Sequence, residues 1–329
     1  MAAITLEDIR LAQRRIAAHV VRTPLHPSPW SGARLGFDLW LKMENRQVTG
    51  SFKPRGALNK ILSLTPAARA QGIVAASAGN HALGVAHAAR VAGLRAVDIF
   101  VQANAAPAKI AKLRRYDIRM HLAGQTFEEA QQAALARAGS SGAVWISAYD
   151  DVEVIAGQGT CGLEIMEDLP DADTIVVPVG GGGLIAGIAI AAKSVNPAVR
   201  IIGVNPEASP SALLSKRDGQ AYDPYDHEST LAQGLAGGFG RVPFAVAMPL
   251  IDEIVLVSED ELVRAVAALI DSDQILVEAS GAAAAAAVLA GKIRSRGKCV
   301  AVLSGGNIDA RTLGMILNRC APGASQPEF

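Results

Sequence analysis

The chain has 329 residues, half of them hydrophobic and 4% aromatic, with 31 basic and 31 acidic side chains that leave no formal net charge. That length suits two lobes better than a single core, and the apolar content excludes a disordered chain. Balanced charge without basic or acidic blocks argues against nucleic acid or a membrane surface as partner, and favours a small neutral or zwitterionic ligand.

The stretch ITLEDIRLAQRRIAAHV predicts an amphipathic first helix, capped by Thr5 with Asp8 three positions on, and it carries no signal-peptide core. Strands are expected at 38–44, 72–77, 96–101, 173–179, 200–205 and 298–304, with helical patterns at 80–92, 126–138, 184–195, 259–270 and 280–291. Apolar strands alternating with helices predict an α/β fold: open, twisted, mostly parallel sheets flanked by helices. The six alanines at 282–287 read as a tightly packed helix, and the tail APGASQPEF as loose. Residues 175–192 carry no charge, but Pro178 and four glycines break the run into strand, loop and buried helix, so no membrane span is expected. Cys161, Cys299 and Cys320 have no CxxC spacing and read as free thiols in a reducing, cytoplasmic setting.

Ligands of open α/β sheets bind at the carboxyl ends of strands, and four such turns carry chemistry. In TGSFKPRGALN, Lys53 stands between Phe52 and Pro54 in a small-residue turn ahead of a helix. In VAASAGNHALG a strand ends at Ser77, and Ala78, Gly79, Asn80 and His81 turn into a helix whose amides suit a carboxylate or a ring hydroxyl. In VPVGGGGLIAG the glycines Gly180, Gly181, Gly182 and Gly183 precede a helix opening at Leu184, an arrangement for phosphate. VLSGGNID and LVEASGAAAA place Ser304, Glu278 and Ser280 at further strand ends. A dinucleotide is the rival ligand of the glycine loop: Gly181, Gly183 and Ala186 fit G-x-G-x-x-[GA], and Glu207 follows the next strand. That alternative makes the chain an NAD-dependent oxidoreductase.

Together these stretches, with RTPL, KMENRQVTGSFKPRGA, VIAGQGT and LSGGN in order from about residue 19 to 309, resemble the pyridoxal-phosphate enzymes of the tryptophan-synthase-like fold, and within them the threonine/serine dehydratase and serine racemase group. The resemblance implies pyridoxal 5'-phosphate as cofactor, bound as a Schiff base to Lys53 with Phe52 packed on its ring. It further implies Asn80 on the ring hydroxyl, the amides of Gly180 to Gly183 and Leu184 on the phosphate, Ser304 at the ring nitrogen with Glu278 nearby, and the substrate carboxylate on the turn from Ser77 to His81. It implies a large cofactor-binding domain of 1–66 and 149–329, a small domain of 67–148, the cofactor in the cleft between them, and assembly as a dimer or tetramer.

The implied reaction is dehydration and deamination of a β-hydroxy amino acid of the threonine or serine type to a 2-oxo acid and ammonia. Similar racemases carry a serine where this chain has Ala78, which cannot move a proton, so elimination is favoured over racemisation. A specialised dehydratase acting on hydroxyaspartate or a hydroxyectoine-derived amino acid would share every motif. Its determinants are expected in loops at 145–160 and 230–242. Relatives that bind a divalent cation do so through acidic residues where this chain offers Asn205 and Ser211 beside Glu207, and no metal is assigned. The chain stops soon after LSGGNIDARTLGMIL, so no regulatory domain is expected to follow.

Overall fold

The computed structural model describes residues 3–28 and 35–320, so the tail read as loose lies outside the described residues. The first helix, Leu6–Ile16, carries the expected capping box between Thr5 and Asp8. Ten strands follow: β1 Leu25–Pro27, β2 Asp38–Lys42, β3 Ile73–Ala76, β4 Val97–Val101, β5 Arg119–Leu122, β6 Val144–Trp145, β7 Thr174–Pro178, β8 Arg200–Pro206, β9 Glu253–Val257 and β10 Lys298–Val302.

They form two sheets. The six-stranded sheet has the order β1-β2-β10-β7-β8-β9, and the four-stranded sheet the order β5-β4-β3-β6. Among the described residues only β1 runs antiparallel to its neighbour strand; every other strand pairing is parallel. All six expected strands are present. The short β1, β5 and β6, and β9 after a helical stretch, were not foreseen, because two to five residues give little periodicity. The strand end expected at Glu278 and Ser280 in LVEASGAAAA is not there: the segment before Ala279 runs irregularly into helix Ala279–Leu289 without joining either sheet.

Parallel strands need both faces covered. On the larger sheet Val176 and Val204 face a layer that includes the buried alanines of helix Ala279–Leu289. The alternate residues Ile175 and Val177 face helices Val152–Asp168 and Gly183–Val195. The hexa-alanine is thus a buried helix, and its small side chains bring it close to the sheet.

The VIAGQGT segment lies inside helix Val152–Asp168, where the sequence had placed a specificity loop. Its glycines let three helices touch backbone to backbone. A Cβ on Gly157 would stand 2.5 Å from the carbonyl of Arg55, and one on Gly162 would stand 2.8 Å from the Ile188 Cα. Helix Lys53–Ser63 is held in that crossing, and Gly84 of helix Asn80–Val91 packs on the other side, where a Cβ would be 3.1 Å from the Lys53 backbone. The catalytic-lysine candidate therefore starts a helix clamped between two others.

Candidate active site

The turn before Lys53 is fixed by the turn after β10. Ser51 bridges to Gly305, the Phe52 N–H donates to the Ser304 carbonyl at 3.1 Å, and the Gly306 N–H donates to the Gly50 carbonyl at 2.8 Å. Gly50 takes the left-handed conformation this needs, with φ +75°. The Lys53 amine then points back across its own turn. It lies 5.0 Å from the Phe52 ring centre and donates to the Ala148 carbonyl at 2.9 Å. Burial of the amine, with no anion beside it, pushes its pKa down to about 8 from an ordinary 10.5.

Behind Lys53 stands a buried ionic cluster built from the motif residues around it. The Arg55 guanidinium donates to both oxygens of Glu44 (2.8 and 2.8 Å), both oxygens of Glu164 (2.7 and 2.8 Å) and the Thr160 hydroxyl (3.0 Å). The Lys42 ammonium donates to Glu164 at 2.6 Å and to the Thr23 carbonyl at 2.7 Å. Burial alone would raise the Glu44 carboxyl, but Arg55 and Lys42 hold it below its usual range. RTPL, KMENR, KPRG and VIAGQGT thus meet at one point, and five of their residues, Thr23, Lys42, Glu44, Arg55 and Thr160, hold the lysine helix rather than any ligand.

The glycine loop leaves β7 and enters helix Gly183–Val195. Among the described residues, none of the five successive N–H groups from Gly180 to Leu184 donates to a protein acceptor. Five free amides at a helix start make a cradle for a phosphate. Neighbours press on the loop where side chains would otherwise stand. A Cβ on Gly181 would overlap the Tyr149 ring, one on Gly182 would overlap Phe239, and one on Gly180 would lie 2.9 Å from the Gly234 carbonyl. Tyr149 follows the carbonyl that receives Lys53, and its hydroxyl sits 3.1 Å from both oxygens of Asp223. Neither residue carried a sequence signal, because their pairing crosses 74 positions.

A second set of free amides lies in the turn after β3. Gly79 donates to the Ser77 hydroxyl at 3.0 Å, while the N–H groups of Ala78, Asn80, His81 and Ala82 have no protein acceptor among the described residues. Open space faces Gly79. His81, expected as a turn residue, is the second residue of helix Asn80–Val91 and is buried; its Nε2 lies 2.9 Å from the Ile146 carbonyl. Since a carbonyl only accepts, Nε2 carries the proton. Burial, with the charge of Lys53 nearby, drives the imidazole pKa down to about 3, so the ring is neutral.

Asn80 stands at the centre of a polar chain. Its Nδ2 donates to Glu278 at 2.5 Å and its Oδ1 accepts from Asn307 at 2.8 Å, which leaves one N–H of its amide without a protein acceptor among the described residues. Glu278, expected near the ring nitrogen, stands at the start of helix Ala279–Leu289, makes no side-chain cap there and accepts from Asn80 instead. Burial raises the Glu278 carboxyl, while Asn80, Lys109 and Lys112 partly offset that. Ser304 is buried within the turn paired to Phe52. Ser280 accepts from the Gly234 N–H at 2.9 Å and fixes the 230s loop against the glycine loop.

Asn205, weighed as a cation-ligand position, is engaged by the protein. It donates to the Val179 carbonyl at 2.8 Å and accepts from the N–H groups of Ala212 (3.1 Å) and Leu213 (3.2 Å), tying β8 to helix Ser211–Asp218. Glu207 is exposed at the end of β8.

Two sheets that bring a depressed lysine amine, a phosphate cradle and a carboxylate cradle to their strand ends define an enzyme built for a phosphate-bearing carbonyl cofactor. The residues fit such a group: free amides for its phosphate, an amine of lowered pKa for its aldehyde, and a spare Asn80 N–H for a ring oxygen. Residues 16–305 match the family model described as pyridoxal-phosphate dependent enzyme, and the chain belongs to that family. The cofactor of this family is pyridoxal phosphate, and the NAD-dependent oxidoreductase alternative falls. The chain is 47% identical over 318 residues to L-threonine ammonia-lyase of Thermotoga maritima, covering 96% of this chain and 79% of that protein. It is 41% identical over 318 residues to the catabolic L-threonine dehydratase of Escherichia coli strain K12, covering 95% and 96%. The solved structure of maize serine racemase superposes with a TM-score of 0.89 at 33% identity, covering 97% of this chain and 98% of that one.

Proposed function

We propose that the protein is a pyridoxal-phosphate-dependent ammonia-lyase that dehydrates and deaminates a β-hydroxy amino acid of the threonine or serine type to a 2-oxo acid and ammonia. The observation that carries this reading is the Lys53 amine. It is enclosed, depressed to about 8, held by the Ala148 carbonyl next to Tyr149, whose ring packs on Gly181, and close enough to His81 of the turn after β3 for its charge to be felt there.

When bound, pyridoxal phosphate supplies an electron sink for the bond broken at the substrate α-carbon. The protein supplies the rest. Nζ of Lys53 would hold the cofactor through its aldehyde, and as a free amine of lowered pKa it would be a base suited to taking the substrate α-proton. Phe52 would pack on the cofactor ring, Ser304 would face the ring nitrogen, and Asn80 would donate its spare N–H to the ring oxygen. The amides of Gly180 to Gly183 and Leu184 hold the phosphate. The turn from Ser77 to His81 holds the substrate carboxylate, where neutral His81 adds no charge of its own.

Ala78 supports elimination over racemisation, since no proton-carrying side chain stands at that position. The 41–47% identity to proteins named for threonine supports threonine as the first substrate to assay. The four-stranded sheet, contained within 73–145, supports a small domain of 67–148 set against a larger one of 1–66 and 149–329. Among the described residues no helix is long and apolar enough to cross a membrane. The free thiols Cys161, Cys299 and Cys320 support a reducing, cytoplasmic setting, and a homodimer or homotetramer is the assembly proposed.

The decisive experiment is to assay purified holoenzyme for ammonia and 2-oxo acid from L-threonine and L-serine, with Lys53→Ala alongside. The parent is expected to release both products, and Lys53→Ala to lose the activity and the visible band of the linked cofactor. A fully active Lys53→Ala enzyme would refute the assignment.

A further inference from the structure

We propose that Lys112 is a positioning residue for the cofactor ring, acting on Asn80 through Asn307; the inference rests on the reading of Asn80 as partner of the ring oxygen. Lys112 lies in helix Pro107–Leu113, between β4 and β5 of the smaller sheet, and no motif marks it. Its ammonium donates to Asn307 Oδ1 at 3.0 Å. Asn307, in the turn after β10 of the larger sheet, spends its own amide hydrogens on the Thr49 carbonyl (2.7 Å) and Asn80 Oδ1 (2.8 Å). Asn80 Nδ2 in turn donates to Glu278 at 2.5 Å. The charged groups facing this chain are Lys112 and Lys109 from one helix, and Glu278 at the start of another.

An ammonium has hydrogens to give and no lone pair to offer, so Lys112, together with the Thr49 carbonyl that accepts from the amide nitrogen, settles which way the Asn307 amide faces. Asn307 must present oxygen to Lys112 and nitrogen to Asn80. That makes Asn80 present oxygen to Asn307 and nitrogen to Glu278, and directs its remaining N–H away from both. Without Lys112, the Thr49 carbonyl alone would hold the Asn307 amide in this sense and Glu278 alone the Asn80 amide, so the Asn80 donor would be less tightly fixed. The ring-oxygen donor is therefore oriented by a cation two hydrogen bonds away. Because Lys112 belongs to the smaller sheet's segment and Asn307 to the larger sheet's, the orientation is complete only when the two are together. Gln233 makes a second link of the same kind, accepting from Lys109 at 2.7 Å.

The test uses holoenzyme of the parent, Lys112→Met, Lys112→Arg and Asn80→Ala. Two quantities are read: the pH midpoint of the cofactor's visible band, and kcat against KM for L-threonine. Lys112 is half-exposed on a surface helix, so Met keeps the stem and removes only the charge and donors. Lys112→Met is expected to move the midpoint upward, because a nearby cation and an oriented donor both oppose protonation of the linked cofactor. It should lower kcat by about three- to tenfold with little change in KM. Lys112→Arg should restore both readouts. If Asn80→Ala shifts the band but Lys112→Met leaves midpoint and kcat at parental values, the relay is wrong and the Asn80 assignment stands. A Lys112→Met effect on KM alone would also overturn it. If Asn80→Ala leaves the band unchanged, the underlying assignment fails and the relay with it.

Discussion

Arg55 and Glu164 form a two-pronged ion pair at 2.7 and 2.8 Å that is shut off from solvent, with Arg55 two residues beyond Lys53. Arg55 is at the same time paired with Glu44, and Glu164 with Lys42, so two cations and two carboxylates balance inside the protein. Taking one member away leaves a buried charge without its partner, which costs far more than the intact cluster contributes. Glu164→Gln keeps the volume and removes one negative charge. It is expected to lower the unfolding free energy by about 3–5 kcal/mol. Urea denaturation of the cofactor-free enzyme reads this directly, and a loss below the size of a surface pair would show that the cluster is not what holds the lysine helix.

The lowered pKa of Lys53 has consequences of fixed sign for the enzyme without cofactor. Between about 8 and 10.5 the unfolded chain keeps a proton that the folded chain has released. Stability therefore rises with pH through that window, and below it the folded state carries the full cost of a buried ammonium. Lys53→Met should melt higher than the parent at pH 7, and the gap should close by pH 10.5. The same shift predicts that the rate of recombination with pyridoxal phosphate climbs with pH and levels off just above 8. A climb continuing to pH 10 would mean that the amine is not depressed.

Gly181 lies under the Tyr149 ring, with no room for a Cβ. Gly181→Ala is expected to displace either the ring or the phosphate cradle and to weaken cofactor binding by about 1–3 kcal/mol, the usual cost of overpacking. Equilibrium titration of the cofactor-free variant with pyridoxal phosphate measures it. Gly139 makes the control: it lies in helix Phe127–Ser141 with nothing within 4 Å of the added methyl. Gly139→Ala should leave cofactor affinity alone and raise stability by roughly 0.5–1 kcal/mol.

Ala78 sits at the turn after β3 with no side chain able to carry a proton. Ala78→Ser puts a hydroxyl there, and the variant is expected to form D-serine from L-serine while the parent forms none that keeps pace with ammonia release. Chiral chromatography of the reaction mixture decides it. Rapid racemisation by the parent would place a second proton carrier elsewhere in the cleft.

Much of the architecture was legible because parallel strands buried on both faces are written as apolar runs, and glycine loops at their ends as breaks in that pattern. The helix holding VIAGQGT was harder. Its glycines look like loop residues until the chain is folded, when each proves to be a contact point for another helix. Tyr149, Asp223 and Lys112 gave no signal at all, since an isolated tyrosine, aspartate or lysine is ordinary until its partner is known.

The sequence by itself determined the alternation of strands and helices and the places of the Lys53 turn, the 180–183 glycine loop and the turn after β3, because each is a local pattern of residue type and spacing. Only the tertiary structure decided what those motifs do besides catalysis. Thr23, Lys42, Glu44, Arg55 and Thr160 lie in four separate stretches, and nothing local distinguishes a charge bound for the interior from one bound for water. Folding brings them to Glu164 and turns them into the buried support beneath Lys53. The same holds for Asn80, whose free N–H exists because Asn307 and Glu278, more than 190 residues away in sequence, occupy the rest of its amide. Hydrogen-bond direction is a property of assembled neighbours, and a linear chain does not carry it.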